Sequence, residues 1–395
     1  MRKGSSGLRT WAGAGLALAL ASPAAQAYVG LCCAKCGGNM PMNIPGGGVP
    51  ATYEFRFKVS PMFMHMDGLR DGTDEVSSDE LLGSPQAGGY MAVPTSMDMT
   101  MVNLAAGYSF TDDFFAGLMF MWQQNRMPME LNAMMESRLG TDGFTMHSEG
   151  MGDTMLMTKY RLHYDDPLIP TRQVSLLAGL SLPTGSIGER NRDHPMPARR
   201  DELLPYGMQL GSGTWDPILG LLYQGSRSPY WWGANATYTA RVHDNERGYR
   251  LGDRANLDLY AMYQVRSDTV LQLQLNAEHS QDIAGEADAI ERGDSGRAVR
   301  GDGESPYLTP LYDPDHYGGT SARLTGGFQW QPAPMHIVDL QGSVPVYQDL
   351  NGPQMQESYR VMATYYFELP TRASVRYQDG SGREQPGGAA DALGF

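Results

Sequence analysis

Methionines occupy every second position of the stretch SPMFMHMDG at residues 60–68, which contains Met62, Met64 and Met66. Side chains two residues apart share one face of a β-strand, so a strand here would place three thioethers in a row. Thioether sulfur is a soft ligand that suits Cu(I). Methionine is also an adaptable filler of apolar interiors, so packing without a metal is the alternative interpretation.

Three later segments repeat this alternation. In each of them the Phe, Leu, Val and aromatic residues occupy the alternate positions, on the strand face opposite to the methionines. If those side chains face lipid, the methionines face the water-filled bore of a barrel. Weak thioether sites along a bore would let a soft cation enter and leave. The sequence therefore predicts Cu(I) as a candidate ligand, with these candidate positions: Met62, Met64, Met66, Met97, Met99, Met101, Met119, Met121, Met155 and Met157.

All three cysteines lie near the start of the chain, in the stretch YVGLCCAKCGGNMPMNIPGGGVP. Cys33 and Cys36 have the CxxC spacing, which can chelate a soft metal or form a local disulfide. Both alternatives stay open, although Cys33 and Cys36 join the candidate metal ligands. No His follows Cys36, so the motif does not indicate c-type haem attachment.

Alternation of apolar and polar residues continues through most of the chain. In TVLQLQLNAEH, Leu271, Leu273 and Leu275 share one face, while Gln272 and Gln274 share the other. Repeated segments of about ten alternating residues are typical of transmembrane β-strands. Twelve segments are predicted: 52–66, 97–110, 113–129, 151–164, 172–183, 214–224, 230–243, 255–266, 269–280, 319–331, 336–347 and 357–369.

The connections between these segments alternate between short turns and long charged loops, which is the pattern of outer-membrane barrels. Eleven aromatic residues fall near the ends of segments that the short turns join, as expected for an interfacial girdle: Tyr53, Phe55, Tyr108, Phe110, Phe114, Tyr164, Tyr223, Trp232, Phe328, Trp330 and Phe367. The predicted fold is therefore an all-β, transmembrane, antiparallel up-and-down β-barrel of about 12 strands, with short periplasmic turns and long outer loops. Such a barrel lies in the outer membrane of a Gram-negative bacterium.

The two ends of the chain differ from the barrel in composition. Residues 1–27 combine a basic start, a short apolar run and a small-residue cleavage site, which predicts a signal peptide. Residues 28–50 form a segment rich in Cys, Met and Gly that hangs in the periplasm or enters the lumen. The barrel is predicted at 51–369, followed by a polar, Gly-rich tail at 370–395. The net charge of −14 makes nucleic acid an unsuitable partner.

Two motifs carry a family resemblance. The stretches GMGDTMLMTKYRLHYDD and VSLLAGLSLPTGS resemble the outer-membrane barrel family of the MetA pathway of phenol degradation. This resemblance covers most of residues 51–369 and implies a barrel with a transport role. It supplies no catalytic residue, and GDSGR at 293–297 lacks the His and Asp needed to activate Ser295, so no enzymatic activity is expected.

Three functions are consistent with this sequence. The first is a channel with a methionine-lined lumen that binds or passes a soft metal ion such as copper. The second is an uptake pore for aromatic or other hydrophobic compounds, as the family resemblance implies. The third is a barrel sheath that docks a periplasmic redox or efflux partner. Outer-membrane lipid and lipopolysaccharide are expected partners, and a periplasmic metal or redox protein is a candidate one.

Overall fold

The computed structural model describes residues 40–49, 51–84, 89–166, 170–288 and 307–377. Within these residues the chain forms a 14-stranded antiparallel sheet and a separate two-stranded ribbon. The sheet strands are β1 (Glu54–Gly72), β2 (Asp74–Val76), β3 (Ala92–Pro94), β4 (Ser96–Ser109), β5 (Phe114–Leu131), β6 (Gly143–Met151), β7 (Thr154–Tyr164), β8 (Arg172–Leu182), β9 (Asp216–Arg227), β10 (Tyr230–Thr239), β12 (Arg254–Arg266), β13 (Thr269–Ser280), β15 (Gly319–Ala333) and β16 (His336–Pro370).

The ribbon consists of β11 (Tyr249–Arg250) and β14 (Ala284–Gly285). Two short helices, α1 (Ser78–Leu81) and α2 (Ala133–Leu139), lie in outer connections. No described helix is both long and apolar enough to cross a membrane.

The long strands pair in chain order, and β16 pairs with β1 to close the ring. The upper part of β5 pairs with β3 and β6, which extends the wall beyond the ring.

Strand β16 crosses the barrel twice. A strand of 35 residues would extend for about 115 Å, several times the thickness of a bilayer core. Its register shows that Leu350 lies at one end, opposite both Gly319 of β15 and Gly72 of β1, whereas Pro370 lies at the other end, opposite Glu54. The strand therefore doubles back near Gly352, whose positive φ of 68° suits a tight turn. Eleven strands in the described ring thus give twelve crossings.

The two faces of the ring differ in chemistry. On β13, Leu271, Leu273 and Leu275 are exposed on the outside, while Gln272 and Gln274 are buried inside. Lipid cannot bond a free backbone edge, and an exposed leucine face is stable only in lipid. The protein is therefore an outer-membrane β-barrel that contacts lipid. The predicted fold class is confirmed, and each of the twelve predicted segments overlaps a strand.

Residues 371–377 pack against the periplasmic end of the barrel. Arg376 donates through Nε to Glu54 Oε1 at 2.7 Å, and it also pairs with Glu368. Ser374 donates to the same Glu54 carboxylate. Glu54 is fully buried, so these partners satisfy a charge at the first residue of β1. The first residues of the predicted tail, 371–377, thus pack against the barrel, while the predicted signal peptide lies outside the described residues.

The two motifs that carry the family resemblance meet at the outer rim. Asp153 accepts a hydrogen bond from Gly185 N at 2.9 Å, and it accepts two from the backbone N and Oγ of Ser212, both at 2.8 Å. A Cβ at Gly185 would lie 2.7 Å from Leu210 O, so the close approach requires glycine. These residues join the outer connections that precede β7 and follow β8.

We expect Asp153→Asn to destabilise this rim. The amide group would present a donor where the carboxylate accepts from N–H and O–H groups, so at least one charge-assisted bond would be lost. The expected decrease in the free energy of unfolding is about 1.5–3 kcal/mol. Urea unfolding of the barrel in detergent micelles measures it. The control is Asp67→Asn at an exposed position of β1, and an equal effect of both substitutions would contradict the assignment.

Candidate functional site

Residues 40–49, here called the plug segment, lie inside the periplasmic half of the barrel, and eight of the ten are buried. The sequence explains how this segment turns within a narrow bore. Gly46 and Gly48 have φ values of 84° and 67°, in the left-handed region that favours glycine. A Cβ at Gly47 would lie 2.6 Å from Pro41 O. The run IPGGG therefore folds back where other residues would clash.

Polar side chains of the wall hold the plug segment by its backbone. Lys58 Nζ donates to Met42 O at 2.9 Å, and Gln329 Nε2 donates to Met40 O at 3.0 Å. On the segment side, Asn43 Nδ2 donates to Gln274 Oε1 at 2.9 Å. Arg56 binds the carbonyl oxygens of Gly47 and Gly48. Bonds from several strands therefore fix the segment in the bore.

Apolar side chains of the plug segment pack into a matching pocket. Met40 and Ile44 are almost completely buried. The wall side of this cluster consists of Leu177, Leu222, Tyr260, Met262 and Val270. Residues 40–49 thus lie in the lower lumen, and residues 28–39 and 50 of the predicted 28–50 segment lie outside the described residues.

The predicted methionine positions lie on the interior face of neighbouring strands. Register places Met62, Met64 and Met66 of β1 directly opposite residues of β4. It also places Met119 of β5 opposite Met155 of β7. The paired positions are Met62 with Met101, Met64 with Met99, Met66 with Met97, and Met119 with Met155. Side chains directly opposite in a sheet have Cβ atoms about 4.5–5.5 Å apart, so each pair is in contact range.

Met157 extends the same surface toward the periplasm, and Met121, two residues beyond Met119 on β5, extends it toward the outer rim. Beside Met157 the opposing positions are Gly117 and Gly179. A Cβ at Gly179 would lie 3.1 Å from Met157 Sδ, so this glycine leaves room for the thioether. These ten positions together are called the methionine stripe: Met62, Met64, Met66, Met97, Met99, Met101, Met119, Met121, Met155 and Met157.

The outer end of the methionine stripe is covered by loops. Residues 89–94, 127–151, 186–212 and 307–317, here called the outer cap, form an apolar cluster above the bore. Its buried members are Ala92, Met97, Met127, Met129, Leu131, Met135, Met146, Leu204, Met208 and Leu311, with Met66 and Met99 packed against it. The upper three stripe positions, Met66, Met97 and Met99, thus pack against side chains of the outer cap.

The wall opposite the methionine stripe is polar. Asp258 accepts from Asn235 at 3.1 Å and from Asn276 at 2.8 Å. At the boundary between the two sides, Arg360 pairs with Glu357 at 2.8 Å, and its Nη2 lies 3.1 Å from Met64 Sδ. At this height the interior is therefore two-sided, with thioethers on one wall and hydrogen-bonding groups on the other, whereas nearer the periplasm the second wall contains the apolar pocket of Leu177 and Met262.

The metal role of the methionine stripe stays a prediction. Cys33 and Cys36 lie outside the described residues. Among the residues that the structure describes, no group of three or more His, Cys, Asp or Glu side chains could hold a metal ion. The Arg360 guanidinium beside Met64 places a positive charge where a cation would bind, which opposes a metal at that position.

Sequence reasoning overlooked Arg56 and Lys58 as site residues. Both precede Met62 on the interior phase of β1, so the alternation that placed Met62 inside also placed them inside. Their partners are carbonyl oxygens of a segment whose path through the bore has no periodic signal. The sequence could therefore locate the two cations but not what they bind.

Comparison with known proteins gives a likeness of fold. No family model matches the chain, and no curated protein matches it. An outer membrane channel of Pseudomonas putida F1 is 14% identical over 84% of this chain and 100% of its own, with a TM-score of 0.49. A FadL homologue of Pseudomonas aeruginosa is 10% identical over 84% and 95%, with a TM-score of 0.38. The monoaromatic hydrocarbon channel CymD is 8% identical over 81% and 90%, with a TM-score of 0.35.

A buried histidine makes the outer cap sensitive to acid. His194 is mostly buried, stacks against Phe144 with ring centroids 4.7 Å apart, and accepts at Nδ1 from Met196 N. Burial, followed by the charge of Arg199, lowers the pKa of His194 from 6.5 to about 4. The unfolded loop therefore takes up a proton at a higher pH than the folded loop does.

We expect residues 191–204 to lose protection as the pH falls from about 6.5 toward 4, because the folded cap excludes the charged imidazole. Hydrogen exchange of this loop, corrected for the intrinsic rate at each pH, measures the change. His194→Gln should flatten the profile in this window, whereas His279→Gln, at an exposed histidine outside the cap, should leave it unchanged. A wild-type profile that is already flat would contradict the role of His194.

Proposed function

We propose that this outer-membrane barrel is a channel for small hydrophobic compounds, aromatic ones included. The observation that supports this most directly is the methionine stripe, which joins the apolar cluster of the outer cap to the apolar pocket around the plug segment. An apolar solute that follows this wall exchanges one set of apolar contacts for the next, so part of its apolar surface stays in contact with the wall at each step. The resemblance to the barrel family of phenol degradation supports the same class of solute.

The closed state of the interior also favours a hydrophobic solute over free diffusion of water-soluble ones. The outer cap covers the upper bore, and the plug segment fills the lower bore. A solute must therefore displace packed side chains, and methionine is the apolar side chain that adapts its shape most easily. We assign no catalytic role to these residues. Lipopolysaccharide contact at the outer rim and a periplasmic docking partner stay predictions.

Dye entry into cells tests this function. N-phenyl-1-naphthylamine fluoresces when it leaves water for an apolar phase, so its entry rate reports the permeability of the outer membrane to an aromatic amine. We expect expression of the full chain to raise this rate, and joint substitution of Met62, Met64, Met99 and Met101 by Gln to lower it about fivefold, because each added amide must lose water when the solute passes.

The matched control replaces the same four methionines by Leu, which keeps their volume and apolar character. This variant should keep the wild-type rate of dye entry. Heat-modifiable migration on gels confirms that both variants fold. Equal rates for the Gln variant and the wild type would contradict an apolar path along the stripe.

A second candidate function is binding of Cu(I). The specific observation is the direct opposition of methionines across strands, which brings two thioethers within reach of one soft ion at several heights. If this function operates, Leu substitution at Met62, Met64, Met97, Met99 and Met101 lowers the affinity for Cu(I) at least tenfold. Titration against a competing Cu(I) chelator measures it, in a background where Cys33 and Cys36 are Ser.

The Leu variants separate the two functions because leucine keeps the apolar surface and removes the sulfur. Loss of Cu(I) binding together with normal dye entry would assign the stripe to both tasks. Unchanged Cu(I) affinity after the five substitutions would remove copper from the function of the stripe.

A further inference from the structure

Two basic side chains in the periplasmic half of the bore, the buried Arg56 and the half-buried Lys58, donate hydrogen bonds to neutral carbonyl oxygens. Arg56 and Lys58 lie two residues apart on the interior face of β1. No salt bridge joins either of them to a carboxylate of the described residues, and their hydrogen-bond acceptors are carbonyl oxygens of the plug segment. A buried charge is costly unless a partner compensates it. Glu368 and Asp339 interact favourably at longer range with Arg56 and Lys58 respectively, but neither carboxylate bonds to them directly. An anion that bonds directly would therefore match the pair better than carbonyl dipoles alone.

The geometry around Arg56 is that of an oxyanion site. Its Nη1 binds both Gly47 O and Gly48 O, and its guanidinium carbon lies 4.2 Å from the centroid of the Phe115 ring. Its buried Nε has no hydrogen-bond partner among the described residues. A planar guanidinium presents Nε–H and Nη–H as a fork that matches a carboxylate. The plug segment uses only one side of that fork.

Lys58 supplies the second hydrogen-bond donor. Its Nζ donates to Met42 O at 2.9 Å. The three carbonyl oxygens that Arg56 and Lys58 hold all belong to the plug segment, so displacement of this segment would leave both cations without these acceptors. An arriving carboxylate would restore the lost bonds and would add a charge–charge attraction in a site of low dielectric constant.

An apolar pocket adjoins this pair of cations. A Cβ at Gly46 would lie 3.1 Å from Leu177 and 3.6 Å from Leu222. The next two residues in the chain, Gly47 and Gly48, bind Arg56. The plug segment thus passes from the pocket that holds Ile44 to the cations within a few residues. The distance between the pocket and the cations is therefore comparable to the length of a small amphipathic molecule.

We propose that the plug segment is an internal mimic of the solute, and that the lower bore is a binding site for a small apolar carboxylic acid. The carboxylate replaces the carbonyl oxygens of Met42, Gly47 and Gly48 at Arg56 and Lys58. The apolar body replaces Ile44 and Met40 in the pocket of Leu177 and Leu222. This inference rests on the proposed channel function and narrows its solute class from hydrophobic compounds to hydrophobic acids.

Three probes of equal size and different charge test the inference on the purified full-length chain. Phenylacetate, 2-phenylethanol and 2-phenylethylamine share an apolar body and differ in the polar group. Hydrogen–deuterium exchange of residues 40–49 measures displacement of the plug segment as each probe is titrated. We expect phenylacetate to act at a concentration about tenfold lower than 2-phenylethanol, since charge-assisted bonds replace neutral ones. The amine should have no effect.

Variants identify the cations as the source of this preference. Lys58→Met keeps the length of the side chain and removes the charge, and it should bring the effective concentrations of phenylacetate and 2-phenylethanol within about twofold of each other. Arg56→Gln provides a second variant with the same expectation. The control is Arg227→Gln, which removes an exposed charge at the periplasmic end of β9 and should leave the preference unchanged.

The outcomes separate this inference from the proposed function. Equal potency of phenylacetate and 2-phenylethanol in the wild type would overturn the acid site and leave a channel for neutral hydrophobic compounds intact. A preference that survives both Lys58→Met and Arg56→Gln would also overturn it. If none of the three probes increases exchange of residues 40–49, the inference fails, and the dye-entry rates then decide the channel function independently.

Discussion

The structure depends on the requirement that every backbone N–H and C=O group in a membrane has a partner. In lipid no water is present to bond a free strand edge, so the sheet must close on itself. Pairing of β1 with the returning arm of β16 meets this requirement. Closure fixes which alternate side chains of each strand face lipid. The remaining side chains of all the strands then line one shared interior. The interior chemistry is a consequence of that closure.

The same requirement explains why the bore is filled. A ring of about twelve crossings encloses an interior that is lined by polar and charged side chains. Neighbouring wall side chains alone do not satisfy all of their hydrogen-bonding groups. The plug segment enters with a glycine-rich backbone whose carbonyl oxygens bind wall donors such as Arg56, Lys58 and Gln329. Its side chains Met40 and Ile44 occupy an apolar pocket of the wall, and Val49 packs against Phe115. Filling the bore thus satisfies buried donors and buries apolar surface at the same time.

The methionines show how one residue type serves two surroundings. At the outer end, Met97 of the stripe packs in one apolar core with Met127 and Met146 of the outer cap. Lower in the bore, Met119 and Met155 oppose each other on the wall with only partial burial. Flexible unbranched side chains can pack tightly in the first place and yield to a passing solute in the second. The polar wall that includes Asp258 and Arg360 lies opposite, so a solute with one polar end and one apolar end meets both kinds of surface.

The sequence alone determined the strands, their phases and the membrane. The period-two alternation of residues such as Leu271, Leu273 and Leu275 can be recognised without knowledge of the strand pairing. Successive side chains of a strand point to opposite faces whichever strand is its neighbour. For the same reason the alternation placed Met62, Met64 and Met66 on the interior face. Only the tertiary structure decided that residues 40–49 occupy the lumen, that loops cover the upper methionines, and that Arg56 and Lys58 bind carbonyl oxygens. Those contacts join residues far apart in the chain through irregular backbone, which carries no period that a sequence pattern could reveal.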